Sequence, residues 1–267
     1  MGRNSVGRKN VRRRARSSYL KWVPYAAACP DPLAEADRLI WAGSYTPVPR
    51  VLDVGWDEHG SWLLTAAVEA GGAITTSAIE PQWRALAERS AIAVGVGLRR
   101  FHDALPTDTC PYLRTAEVRV ADLAAGLTAP RTATKRLRGR LRERIANRVT
   151  ERDAEPATEP ATISSALRNP PPVDRLVVCH GDATVPNTLL DEVGRFAAHV
   201  DVGDLGVADR WSDIAVTTRS VTRRYGPGLE PLVLAAYGVA PDHERTTYYR
   251  ALWDAEEAVR TRRVASR

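Results

Sequence analysis

The sequence predicts an α+β chain in two lobes, a small strand-rich one over 1–70 and a larger, mainly helical one over 71–267. Short apolar runs alternate around the turn "WDEHG" in the first seventy residues, which is a hairpin pattern. After Ala70 the apolar residues recur at helical spacing, as in "PQWRALAERSAIAVGVGLRRFHDAL". A hydrophobic content of 44% beside 26% charged residues is ordinary for a globular chain, and 267 residues are enough to bury a core, so disorder throughout is excluded.

Taken in order, "SSYLKWVP" (Ser17–Pro24) reads as a short strand carrying Lys21 and stopped by Pro24. "DPLAEADRLIWAG" (Asp31–Gly43) carries helix signals: Asp31 as N-cap, Pro32 in the first turn, Gly43 at the end. Leu33, Ala36, Leu39 and Ile40 form its apolar stripe. "PVPRVLDVGWDEHGSWLLTAAVE" follows as two strands, and the seam between lobes falls near "TAAVEAGG". Pro81–Leu105 reads as one long amphipathic helix and Arg131–Val149 as another. "PATEPA" and "NPPP" mark loops. Beyond Trp211 the chain is helical, punctuated by "YGPG" and "YGVAPD".

The bulk features exclude several function classes. No stretch approaches the roughly eighteen apolar residues of a membrane span, and the basic start lacks the apolar region of a secretory signal. Cys29, Cys110 and Cys179 are too scattered for a metal-ligand or disulfide pattern, so a reducing, cytoplasmic setting is expected. The net charge of +6 sits in the N-terminal arginines and in Lys135–Arg148. Neither run carries the interleaved aromatics of a nucleic-acid groove, so no nucleic-acid partner is expected.

The chemistry is concentrated in "VVCHGDATVPNTLLD" (Val177–Asp191). Its polar loop "HGDATVPN" must be held between two buried strands, "LVVC" and "LLD". After the turn "DEVG", "RFAAHV" folds back as the second arm of a hairpin, which makes Asn187 and Asp201 neighbours across the strands. Asp182, Asn187 and Asp201 then converge at one strand end. Hard Mg²⁺ takes oxygen ligands such as Asn187 and Asp201 supply, leaving Asp182 to orient an attacking hydroxyl. The spacing of Asp182 and Asn187 is that of a kinase catalytic loop, with a later aspartate for the metal.

"YLKW…EADRLIW", "TPVPRVLDVG…GSWLLT", "LRRFHDALPTDTCPY", "VVCHGDATVPNTLLD", "HVDVGDLGVADRWSDIAV" and "YGVAPDHERTTYYRALWD", in that order, resemble the aminoglycoside O-phosphotransferases, particularly the 3′-phosphotransferases, from Tyr19 to Glu257. The resemblance implies a protein-kinase-like fold and use of ATP and Mg²⁺ to phosphorylate a hydroxyl of a cationic aminoglycoside, conferring resistance. It implies that Lys21 contacts nucleotide phosphates, that Glu35 orients Lys21, that Asp182 is the catalytic aspartate, and that Asn187 and Asp201 hold metal. His180 and Asp213 are expected to brace the loop. Only twenty residues precede Lys21, seven of the first sixteen being Arg or Lys, so the first lobe reads as shortened. Ser5 and Gly7 remain as candidate amides over the phosphates, with almost no room for a first strand.

On the acceptor side, the resemblance points to Asp153 and Glu155 in "TERDAEPATEP", to Asp254 with Glu256 and Glu257 less well matched, and to Asp209 near the same mouth. Two departures stand out. "AVRTRRVASR" continues past the segment where the family's terminal carboxylate helps to bind drug, and Asp204 replaces the arginine of "D-x-G-R", with expected consequences for phosphate handling or local salt bridges. Action as a monomer or weak dimer is expected. Competing readings are a kinase for another small cationic or sugar-like hydroxyl compound, and a degraded kinase that binds without turnover.

Overall fold

The computed structural model describes residues 9–13, 16–24, 31–125 and 164–265. Its first part is a four-stranded antiparallel sheet in the order β1-β2-β4-β3, formed by β1 (Lys9–Arg13), β2 (Arg16–Pro24), β3 (Val51–Trp56) and β4 (Gly60–Ala66). The presence of β1, paired with β2 from Lys9↔Leu20 to Arg13↔Arg16, corrects the expectation that no first strand fits before Lys21. A short, arginine-rich segment can still form an edge strand because its ladder needs backbone groups on one side only. In β2, Tyr19 lies opposite Thr65 and Lys21 opposite Leu63, so strand alternation sends these four side chains to one face.

Helix α1 (Pro32–Ala42) packs on that sheet. Asp31 caps it as the sequence predicts, its Oδ1 accepting the Leu33 amide at 3.0 Å and the Ser61 hydroxyl at 3.1 Å, which ties the helix start to β4. Leu33, Ala36 and Leu39 bury against Val54 and Leu63, and the same cluster continues through Phe101, Val178, Val202 and Leu205 in the second part. A common apolar cluster therefore sets the position of α1 relative to the polar loop that follows Val178.

The chain then passes through the small hairpin β5 (Glu69–Ala70) and β6 (Ala73–Ile74) to β7 (Thr76–Ser77), which pairs with β9 (Thr188–Leu190). The single helix expected over Pro81–Leu105 is two helices, α2 (Pro81–Arg84) and α3 (Ala87–Ala104). The break at Leu86 (φ −112°) lets Trp83 turn inward, where its indole donates to Thr76 Oγ1 at 2.8 Å while the Ser90 hydroxyl bonds the Trp83 carbonyl at 2.9 Å. Helix α4 (Ala116–Ala124) follows; the helix expected over Arg131–Val149 lies outside the described residues.

The strands flanking the polar loop are β8 (Leu176–Cys179) and β9, with β10 (Phe196–His199) closing the hairpin on β9 and β11 (Gly206–Asp209) pairing antiparallel with β8. Helices α5 (Trp211–Tyr225), α6 (Glu230–Tyr237) and α7 (His243–Ala265) complete the larger part. No described helix is long and apolar enough to cross a membrane.

Candidate active site

The loop after β8 is held almost entirely from below. Asp213, in the first turn of α5 and fully buried, accepts the His180 amide at 2.6 Å and the Gly181 amide at 2.9 Å. Its Oδ2 also meets His102 Nε2 at 3.0 Å, and His102 Nδ1 lies 2.8 Å from the Tyr237 hydroxyl. Burial alone would push the Asp213 carboxyl up, but the His102 bond and the nearby imidazoles outweigh it and its pKa falls below the ordinary value. The carboxylate is thus kept charged to receive backbone donors. Gly181 has φ +86°, and a Cβ there would stand 2.2 Å from the Asp204 carbonyl, so no other residue fits this bend.

His180 braces the loop, as the sequence reading anticipated. Its Nε2 reaches the Val200 carbonyl at 2.9 Å and its Nδ1 lies 3.2 Å from the Asp182 amide nitrogen. Those partners require Nε2–H to donate and Nδ1 to accept. Asn187 donates from Nδ2 to both the carbonyl and the Oδ2 of Asp182, each at 2.9 Å. The Asn187 amide thus ties the Asp182 side chain to its own backbone carbonyl through a single shared donor. Asn187 also accepts the Val200 amide through its carbonyl at 3.0 Å, which sets Asp201 beside it across the hairpin.

Asp201 is the only non-glycine among the described residues with positive φ, at 59°. A conformation that disfavours L side chains persists only where the surroundings over-determine it, and such residues gather at functional sites. Here it directs the carboxylate toward the first sheet, with Oδ1 3.7 Å from Lys21 Nζ. Lys21 in turn meets Glu35 Oε2 at 2.6 Å, and Glu35 is only 3% exposed. A carboxylate this deep is stable only when paired, so β2 and α1 must keep their relative placement for the ammonium to stay put.

A cavity of about 310 Å³ opens at this junction, lined by Tyr19, Lys21, Glu35, Leu63, Val200 and Asp201 among others. An apolar slot ending in a few convergent polar groups is the form of a small-ligand site. Its apolar walls were not anticipated from the sequence, although strand alternation places Tyr19 on the Lys21 face and Val200 directly precedes Asp201. Nor were His102 and Tyr237, which are remote in sequence from the loop they support and meet it only through tertiary packing.

The donor set around Asp201 fits a hard divalent cation. Asn187 spends its Nδ2 on Asp182, which leaves its Oδ1 as an acceptor, and Asp201 follows the residue whose amide bonds the Asn187 carbonyl and supplies a partly exposed carboxylate.

Other expected residues fall elsewhere. Ser5, Gly7, Asp153 and Glu155 lie outside the described residues. Asp209 is not at the mouth: it is 2% exposed, accepts the Trp211 amide at 2.9 Å and the Asp174 amide at 2.7 Å, and pairs with Leu176 at the far end of β8 from the loop. It shapes the turn into α5, a common task for Asp before a helix. Glu256 is also withdrawn, receiving Arg119 at 2.9 and 2.7 Å. Asp254 is exposed on α7, with its carboxylate 2.7 Å from Arg219. Asp204 is buried at 4% exposure with Arg114 Nη2 at 3.5 Å, so its charge goes into a local salt-bridge cluster.

The chain is similar to known proteins over most of its length. Residues 7–249 match the phosphotransferase enzyme family. An aminoglycoside 3′-phosphotransferase of Streptomyces fradiae is 33% identical over 83% of this chain and 78% of its own length. A streptomycin 3″-kinase of Streptomyces griseus is 31% identical, over 86% and 82% respectively. Among solved structures, an aminoglycoside-3′-phosphotransferase of type VIII superposes with TM-score 0.69 at 29% identity, covering 96% of this chain and 90% of that one. A choline kinase of Streptococcus pneumoniae, 14% identical over 100% of this chain and 84% of its own, shares the fold at TM-score 0.60. Because the match over residues 7–249 spans most of its length, the chain belongs to the phosphotransferase enzyme family.

Proposed function

We propose that this protein transfers the γ-phosphoryl group of ATP to a hydroxyl of an aminoglycoside, most closely in the manner of the 3′-phosphotransferases it resembles. The observation that carries the reading is the continuous set Asp182–Asn187–Asp201–Lys21–Glu35, which spans the loop after β8 and the face of the first sheet. A nucleotide in the cavity, with residues 1–70 as its lobe, would direct its phosphates to the Lys21 ammonium. An aminoglycoside phosphotransferase of Streptomyces rimosus, 28% identical with TM-score 0.58 over 94% of this chain and 92% of its own, was solved with ADP and streptomycin, which supports nucleotide use and a cationic acceptor here.

In this mechanism the acceptor oxygen attacks phosphorus as the bond to the bridging oxygen of ADP breaks. The Asp182 carboxylate accepts the hydroxyl hydrogen bond and then the proton. Its position, set by Asn187 and His180, holds the nucleophile in line. Lys21, oriented by Glu35, stabilises charge growing on the leaving phosphates. Mg²⁺, which Asn187 Oδ1 and Asp201 would hold, supplies further neutralisation of phosphate charge.

The test is ADP release by the purified protein with Mg·ATP, against kanamycin, neomycin, streptomycin and no acceptor. Release stimulated by a drug is expected. Silence across the panel with a folded, nucleotide-binding protein would transfer the reading to another acceptor class. Asp201→Ala is expected to lose nearly all turnover and the magnesium dependence of nucleotide binding; retention of that dependence would remove Asp201 from the metal site.

A further inference from the structure

Four buried charges lie behind the site: Asp204 at 4% exposure, Arg114 at 5%, Arg119 at 2% and Glu256 at 9%. Arg114 Nη2 stands between two carboxylates, 3.5 Å from Asp204 Oδ1 and 3.4 Å from Glu256 Oε1. Arg119 grips Glu256 through Nε and Nη2 and donates from Nη1 to Ser212, beside Asp213, at 2.6 Å. Two cations and two anions make the group neutral, which is the condition for keeping charges so deep.

The ends of this group fall on opposite sides of the reaction. Asp204 follows the candidate metal ligand Asp201 by three residues, and Glu256 follows the exposed Asp254 of α7 by two. The segment 201–207 is also fastened by backbone at this point. Arg114 N–H donates to the Val207 carbonyl at 2.9 Å, and Val207 N–H to the Tyr112 carbonyl at 2.9 Å. Gly206 makes room for the arginine stem, since a Cβ there would come within 2.7 Å of Arg114 Cγ. On the other face, the Asp204 carbonyl packs so close to Gly181 that a Cβ there would stand 2.2 Å from it, and Arg38 of α1, three residues beyond Glu35, donates from Nε to the Leu205 carbonyl at 3.0 Å. The catalytic loop, the metal-side segment, the helix of Glu35 and the last helix therefore meet at Asp204–Leu205.

We propose that Arg114 is a positioning residue that joins the acceptor-side helix α7 to the metal-side segment, with Asp204 and Glu256 as its two handles. It acts through Asp201 and touches neither substrate. The proposal rests on the phosphotransferase reading above. It assigns to Asp204 a placement task, and it implies that a change at Glu256, far along the chain from the nucleotide cavity, is felt as a change in magnesium-dependent nucleotide binding.

The experiment titrates a fluorescent ATP analogue with and without Mg²⁺ into the wild type, Glu256→Gln, Asp204→Asn, Asp204→Arg, and the exchange Asp204→Arg with Arg114→Asp, alongside thermal melting of each. Directly linked groups couple strongly enough to expect a weakening of about tenfold in the magnesium-dependent affinity for Glu256→Gln and Asp204→Asn. Magnesium-free affinity is expected to stay within about threefold. Asp204→Arg should be worse, because it sets a cation against Arg114, and the exchange should recover most of the loss. A cluster that only stabilises the fold would lower the melting temperature of folded variants and leave the magnesium dependence unchanged, which overturns the proposal. So does an exchange variant no better than Asp204→Arg alone. Should Asp204→Arg fail to fold, Glu256→Gln and Asp204→Asn decide the matter by themselves. A wild type that binds no nucleotide overturns the reading of the site and the proposal with it, whereas normal binding by wild type and both neutral variants overturns the proposal alone.

Discussion

The loop between β8 and β9 and the last helix, α7, both carry acids that the sequence marks for function, yet the fold treats them in opposite ways. Around the loop, Asp182 and Asp213 are fixed by backbone amides, imidazoles and the Asn187 amide. On α7, Glu256 is buried in an ion-pair cluster while Asp254 stands exposed with a single arginine beside it. On the roles proposed above, the chemical step would draw on groups whose geometry is over-determined, while acceptor recognition would fall to a group that can adjust. Transition-state stabilisation needs preorganised dipoles, whereas uniform binding of a flexible polycation does not.

The largest effect should come from breaking the fixed side. Asp182→Ala is expected to lower kcat by about a thousandfold, within the range for removing a positioned acid–base group, with nucleotide affinity close to wild type. Steady-state ADP release and a nucleotide titration on one preparation check both halves. A near-normal rate would remove Asp182 from the reaction. A lost nucleotide affinity would mean that the loop as a whole had collapsed.

Next in size is the support beneath the loop. Asp213→Asn removes a buried charge that receives two amides and His102, and an expected loss of about 3 kcal/mol follows from breaking a buried, hydrogen-bonded charge network. Chemical denaturation measures it. The comparison is sharpened by asking how much of the activity loss is recovered at lower temperature: a destabilised loop regains rate on cooling, while Asp182→Ala does not.

How legible these parts were in the sequence follows the same divide. Asp182, Asn187 and Asp201 lie together as the spacing around the turn of "DEVG" implied, while the pairing of Lys21 with Glu35 was implied by the family resemblance; each sits on an element whose signals are local, such as the cap at Asp31 and the strand of "SSYLKW". The two-lobe order of strands and helices was readable for the same reason. The His102–Tyr237 support was not, since it depends on α3, α5 and α6 packing side by side. Nor was the break at Leu86, where Trp83 prefers Thr76 and the core over continuing a helix whose periodicity runs on without interruption. Asp209 misled because an acid before a helix looks alike whether it faces a ligand or two backbone amides.

The acid response should separate two buried groups near the loop. His199 is driven down to about 3, chiefly by burial and then by the neighbouring His180, so the folded protein keeps it neutral. The unfolded chain takes up that proton near the ordinary 6.5, so stability is complete above pH 6.5 and falls as pH drops below it, by up to about 1.4 kcal/mol per unit. Asp213, with its pKa lowered, stabilises above its ordinary 3.8 and loses that contribution only as pH falls through the lower folded value. Thermal midpoints from pH 7 to 4.5 should therefore decline, and His199→Gln should flatten that decline. An unchanged slope in the variant would place the acid sensitivity elsewhere.

The smallest effect is expected at Asp254, and it tests the adjustable side of the comparison. Its pair with Arg219 has a carboxylate side chain that is 51% exposed, and such pairs contribute only about 0–1 kcal/mol to stability. Asp254→Asn should therefore melt within a degree or two of wild type. If the carboxylate also receives an acceptor ammonium, the KM for the aminoglycoside rises about threefold to tenfold while kcat holds, the signature of lost uniform binding. Equal KM values for variant and wild type would leave Asp254 as a partner of Arg219 only. A fall in kcat at constant KM would show instead that α7 belongs to the fixed machinery, and the division between the two regions would have to be redrawn through the Arg114 cluster that joins them.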